Sequence, residues 1–170
     1  MTWAGDGSSR SMAQHALALV IRDFLGSDCA LGAHSDGDGD GDGDGGIQCY
    51  AQDPIYTPVD EQVLCEAGFT VVHDPGAFLE VDEASVVMAI SADIPIRQII
   101  ADIARPAIMI LDKVVPSNRN TVWADPVSPR VEQMMKEFIE LAFPADDETF
   151  SDLSVYIRKV WTTKKRLCRH

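Results

Sequence analysis

Apolar residues recur along the chain with two different periods, and their alternation sets the order of elements. Met12, Ala16, Leu19, Val20 and Phe24 follow Ser11-Met12-Ala13-Gln14, which has the form of a capping box. This predicts a helix over about 12–25, closed by Leu25-Gly26. Ile47 to Ala51 has a β-type composition and runs into Asp53-Pro54, where proline forbids a continuing ladder, so a short strand should stop there. Thr57-Pro58-Val59-Asp60 supplies an N-cap, a proline at the first helical position and an acid at the third; Val59, Val63, Leu64 and Ala67 then form a stripe closed by Gly68.

Phe69 to Val72 reads as an apolar strand ended by His73-Asp74-Pro75-Gly76, and Ser85 to Ile90 as a second β-branched run. Pro95 opens a helix with Ile96, Ile99, Ile100 and Ile103 on one side; Arg105-Pro106 stops it before another buried-strand run, Ala107 to Leu111. Ser128-Pro129 starts a further helix whose Val131, Met134, Met135, Phe138 and Leu141 face inward. Leu153 to Val160 fits both periods and is read as a strand. Strands that alternate with helices and are apolar throughout imply an α/β fold: a Rossmann-like, mostly parallel sheet with helices on both faces. Ligands of such sheets sit beyond the carboxyl ends of the strands, here Asp53-Pro54-Ile55-Tyr56, His73-Asp74, Ser91-Ala92-Asp93 and Asp112-Lys113.

Between the first helix and the first strand, residues 35–46 hold five aspartates in strict alternation with glycine, a solvated and disordered loop by composition. Asp40, Asp42 and Asp44 match the alternate ligand positions of a calcium-binding loop, but its last ligand position is Ala51 instead of a bidentate glutamate. An inserted run of Asp-Gly pairs explains the tract better than a calcium-modulated module, and no metal site is assigned.

The 170 residues suit one domain over 1–160, followed by a basic tail over 161–170. The net charge is −13, yet positions 151–170 carry six Lys/Arg against one acid, which leaves −18 on the remainder. An acidic body disfavours nucleic acid and anionic lipid as partners. Charged residues interrupt each apolar run well short of a bilayer-spanning length, and no leader pattern opens the sequence. Cys29, Cys49, Cys65 and Cys168 show no C-x-x-C spacing, which suits reduced thiols in a cytosolic or nuclear protein.

Several segments carry a resemblance to a known family: Met12-Ala13-Gln14-His15-Ala16-Leu17-Ala18-Leu19, Gln52-Asp53-Pro54-Ile55-Tyr56, Leu64 through Gly68-Phe69, Val86-Val87-Met88, and above all the run from Pro95 to Ala107. In these the chain resembles the sensitivity-to-red-light-reduced (SRR-like) family of eukaryotes, most closely its filamentous-fungal branch, over about residues 12–115; Thr149 to Val155 is similar to the family's closing segment. The resemblance implies a Rossmann-like domain with regulatory roles in signalling, stress response and haem metabolism, acting through an unidentified protein partner. Family members usually begin with a strand and a Gly-Leu-Gly type turn, whereas Met1 to Gly7 is too short and polar for that strand, so the domain is expected to be incomplete at its N-terminus. The stretch Ala89 to Asp93 lacks the His and Cys that plant and animal relatives carry there, so no metal or thiol chemistry is carried over.

The candidate ligand or partner edge is Asp53, Pro54, Tyr56, Asp93, Pro95, Asp102 and Arg105, with no catalytic residue and no cofactor assigned. Asp53 sits where a ribose-reading acid belongs, but without a glycine turn for a pyrophosphate it reads better as a turn cap beside Pro54. Asp102 and Arg105 read as a surface pair on one helix, His15 as a packed histidine and His73 as a surface one. A small-molecule binder or transferase with a partly retained pocket is the alternative to the regulatory role.

Overall fold

A computed structural model describes residues 6–32, 46–114, 125–144, 150 and 152–159, with side chains of the first helix described over 11–27. The Asp-Gly tract with Asp40, Asp42 and Asp44 and the basic tail lie outside these residues. The chain divides into two units, Met1–Leu79 and Glu80–His170.

In the first unit, α1 (Asp6–Gly32) precedes β1 (Cys49–Ala51), α2 (Pro58–Glu66), β2 (Phe69–Val71) and the short α3 (Gly76–Leu79). β1 and β2 pair in parallel, Cys49 opposite Phe69 and Ala51 opposite Val71, as a strand-helix-strand unit requires. Thr57 and Asp60 close the predicted capping box: the Thr57 side chain accepts from Asp60 N, and the Asp60 carboxylate accepts from Thr57 N at 2.8 Å. Ala51, Leu64 and Phe69 form the core, against which Ala18 and Leu19 of α1 pack.

Three sequence expectations are corrected here. α1 runs from Asp6 through Ser11 and Gly26, so neither residue bounds it. Its predicted stripe is split: Met12, Val20 and Phe24 are about two-thirds exposed (66%, 65% and 65%) and Ala16 is exposed, while Leu19 of that stripe packs on the core with Ala18, and His15 meets the Phe69 ring. Rows of apolar side chains lie on neighbouring faces of this helix, and the row that also places His15 and Arg22 gains specific polar partners. On α2, Val59 and Val63 are likewise exposed and Leu64 alone is buried.

In the second unit, β3 (Val86–Ala89), α4 (Ile96–Ile103) and β4 (Ile108–Asp112) form the predicted strand-helix-strand, with β3 and β4 parallel. α5 (Pro129–Met135) is capped by the Ser128 side chain, and β5 (Phe138–Ala142) and β6 (Leu153–Arg158) complete a four-stranded sheet in the order β3-β4-β6-β5. β6 lies antiparallel to both neighbours. The predicted helix through Leu141 is therefore corrected: it ends at Met135, and Phe138 to Ala142 is a strand. Phe138 and Leu141 satisfy a helical spacing, but the ladder offered by β6 supplies main-chain partners that decide the outcome.

Ile100, Val131 and Met134 from the two helices are buried together with Met109, Leu111, Phe138 and Tyr156 of the sheet. Of the predicted isoleucine face of α4, Ile100 is fully buried and Ile103 exposed. On the other face of the sheet, Ile139, Leu141 and Ile157 stay exposed. Among the described residues no helix is long and apolar enough to cross a membrane.

Candidate functional site

The carboxyl ends of β3 and β4 lie side by side because the strands pair Ala89 with Leu111. Beyond them the chain must turn sharply: Ser91 adopts a left-handed conformation (φ 53°), and its main-chain N–H donates to both Asp112 oxygens at 3.1 and 3.3 Å. α4 then begins, with Pro95 at its N-cap and Asp93 exposed on the preceding turn.

Arg97 in the first turn of α4 meets Asp125, which arrives ahead of α5. Asp125 Oδ2 accepts from the Arg97 main-chain N–H at 2.8 Å and from Nε at 2.7 Å, while Arg97 Nη2 donates to the Asp125 carbonyl at 2.6 Å. Both side chains are about nine-tenths buried, at 11% and 10% exposure. Asp125 Oδ1 is buried without a hydrogen-bond partner. Next to this clamp, Gln98 donates to the Pro126 carbonyl, and its own carbonyl accepts from Ser128 Oγ at 2.7 Å and Arg130 Nε at 2.9 Å.

Arg97, Asp112 and Asp125 line a cavity of about 10 Å³ walled by Ala89, Ile96 and Leu111, the volume of a single water. Burial pushes the Asp112 carboxyl above its usual range, opposed by the Ser91 N–H and Arg97 and reinforced by Asp125 and Asp152. Among the described residues no group of three His, Cys, Asp or Glu side chains is assembled to hold a metal ion.

The predicted edge residues fall in two places. In the first unit, Asp53 Oδ1 accepts from Ile55 N at 3.0 Å, the turn cap expected beside Pro54. Pro54 is exposed on that turn, and Tyr56 leaves it to hydrogen-bond His15 Nε2 at 2.9 Å. Burial lowers the His15 pKa against the pull of Asp53 and Asp60, and raises that of Tyr56 to about 12. At the neighbouring strand end, Gln52 donates to Asp74 at 3.0 Å and accepts from Ala77 N at 2.8 Å. Exposed His73 matches its surface reading.

In the second unit Asp93 and Pro95 flank the clamp, but Asp102 and Arg105 do not pair with one another. Asp102 bonds Arg130 at 2.8 Å, whereas Arg105 bonds Glu137 at 3.3 Å and donates Nη1 to the Ala101 and Ala104 carbonyls, satisfying the end of α4. A helix offers only local spacing, and long arginines reach a neighbouring element as readily.

Sequence reasoning placed Asp112 at a strand end but missed Asp125 and the importance of Arg97 and Gln98. The one local signal is Asp125-Pro126 directly ahead of the Ser128-Pro129 helix start, which marks a held turn without revealing its partner.

No curated protein and no solved structure matches the chain. The SRR1 domain matches residues 5–157, a span that takes in both units' sheets and the clamp. The chain belongs to the SRR1 domain family.

Proposed function

We propose that this chain is a regulatory, non-catalytic protein that works through contacts with other proteins, in the cytosol or nucleus. The observation that carries this reading is the occupied crevice beyond β3 and β4. There Arg97 and Asp125 fill the place between the two strand ends where an open α/β sheet holds an organic ligand, and among the described residues the space that they line with Asp112 has the volume of one water. Among the described residues the crevice is lined by two carboxylates, one guanidinium and apolar walls, and both carboxylates are already engaged, Asp112 by the Ser91 N–H and Asp125 by Arg97.

The exposed row Met12, Val20 and Phe24 on α1 supplies apolar side chains of the kind that protein contacts use. The family's links to signalling, stress response and haem metabolism fit a protein that acts by binding.

Thermal-shift and equilibrium-dialysis measurements against haem, adenosyl compounds and dinucleotides test the reading, with no shift expected. Micromolar binding of any of them would replace it with a small-molecule function. A photo-crosslinker at Phe24 should capture one defined protein in cells, and lose it in a Val20→Glu background if that face makes the contact.

A further inference from the structure

The cavity at the carboxyl ends of β3 and β4 has an uneven charge. Arg97 engages Asp125 Oδ2 through its main-chain N–H and Nε, and the Asp125 carbonyl through Nη2. The second oxygen, Oδ1, is buried with no partner on a side chain only 10% exposed. Asp112 borders the same space, and Asp152 adds negative charge near it. Among the described residues that line the space, two acids against one arginine leave a negative surplus beside apolar walls, where charges are screened far less than at the surface. An unpaired buried carboxylate oxygen costs on the order of a lost charged hydrogen bond, which a guest that donates or carries positive charge removes.

We propose that this cavity is a binding site for one small monovalent cation, an alkali or ammonium ion, held between Asp125 Oδ1 and the Asp112 carboxylate. Size selects the class: a space of about 10 Å³ admits a guest of water dimensions and excludes an organic molecule. Charge and ligand number select the valence. Calcium takes about 6–8 oxygen ligands and magnesium demands a near-ideal octahedron. Two carboxylates beside a guanidinium do not build either. A single positive charge matches the surplus that Arg97 leaves, where a divalent ion would overshoot it. The ion would also tie β4, which carries Asp112, to the segment carrying Asp125, and so stiffen the sheet end where α4 begins.

The test is thermal unfolding of the full chain in chloride salts of sodium, potassium, ammonium and tetramethylammonium at one ionic strength, which holds screening constant. At a tenfold excess over its Kd, the fitting ion should raise the midpoint by about 3–6 °C over tetramethylammonium, which is too large to enter. Asp125→Asn and Asp112→Asn should each abolish that difference. Should Asp125→Asn fail to fold, Asp112→Asn decides, because its carboxylate makes no ion pair with Arg97. Equal midpoints in all four salts would overturn the proposal in favour of a bound water or a protonated Asp112. So would a cation response that survives Asp112→Asn. The regulatory reading is untouched by either result, since no partner takes part in the measurement.

Discussion

Arg97 and Asp125 are joined three times over: main-chain N–H to carboxylate, Nε to the same oxygen at 2.7 Å, and Nη2 to the Asp125 carbonyl. The guanidinium thereby fixes the course of the chain entering α5 as well as balancing a charge. Among the described ion pairs it is the one most removed from water.

Removing one member should therefore cost far more than removing both. Arg97→Ala leaves a buried carboxylate unpaired and is expected to lower unfolding free energy by about 3–5 kcal/mol. Replacing both by apolar residues, as Arg97→Met with Asp125→Leu, should recover much of that loss. Urea unfolding of the two singles and the double measures the coupling; additive losses would mean that the pair contributes nothing beyond its separate side chains.

A second expectation concerns the turn that leads into β2. Gly68 stands at φ 87°, and a Cβ there would lie 3.0 Å from the Arg22 guanidinium, which itself donates to the Ala67 carbonyl at 3.0 Å. Gly68→Ala should destabilise by about 1–2 kcal/mol, because an L side chain in left-handed backbone carries that strain. The guanidinium end of Arg22 can shift, so the same loss should appear in an Arg22→Ala background. A loss that vanishes there would assign the cost to the contact and clear the backbone.

Where local chemistry decides an element, the sequence was readable. Thr57, Pro58 and Asp60 announce the start of α2 and then form the predicted reciprocal cap, and proline brackets α4. Where two faces or two periods compete, tertiary partners decide. The predicted stripe of Met12, Ala16, Leu19, Val20 and Phe24 spans two neighbouring rows of the helix, and only the Tyr56 and Phe69 rings beside His15 show that the row with Leu19 turns inward. Phe138 to Ala142 was ambiguous until β6 paired with it. The clamp was illegible for a related reason: a charge 28 positions from its partner leaves no periodic trace.

His15 gives a pH expectation with a definite sign. Burial holds its folded pKa below the ordinary value, so the fold favours the neutral ring. The stabilisation is complete above the unfolded pKa of about 6.5 and is lost as pH falls through the lowered folded value. Urea midpoints measured between about pH 7 and pH 5 should fall for the wild type and fall less steeply for His15→Gln. Parallel curves would remove His15 from the acid sensitivity. Tyr56→Phe, which deletes the 2.9 Å bond, should cost about 0.5–1.5 kcal/mol at neutral pH.

The last expectation separates a buried polar hub from a surface ion pair that touches the same arginine. Gln98 is 9% exposed and bonds the Pro126 carbonyl, Ser128 Oγ and Arg130 Nε, joining α4 to the segment that starts α5. Asp102 holds Arg130 as well, at 2.8 Å, but both side chains are more than half exposed. Gln98→Ala strands a main-chain carbonyl and a hydroxyl at once, so its loss should be about 1–3 kcal/mol. Asp102→Ala gives up a pair screened by water and should stay within about 1 kcal/mol, with a difference that shrinks further at high salt. Comparing the two variants by urea unfolding at low and high salt tests the assignment. If Asp102→Ala proved the costlier, Arg130 would have to be anchored by its exposed partner, and the role given to Gln98 in joining the two helices would fall.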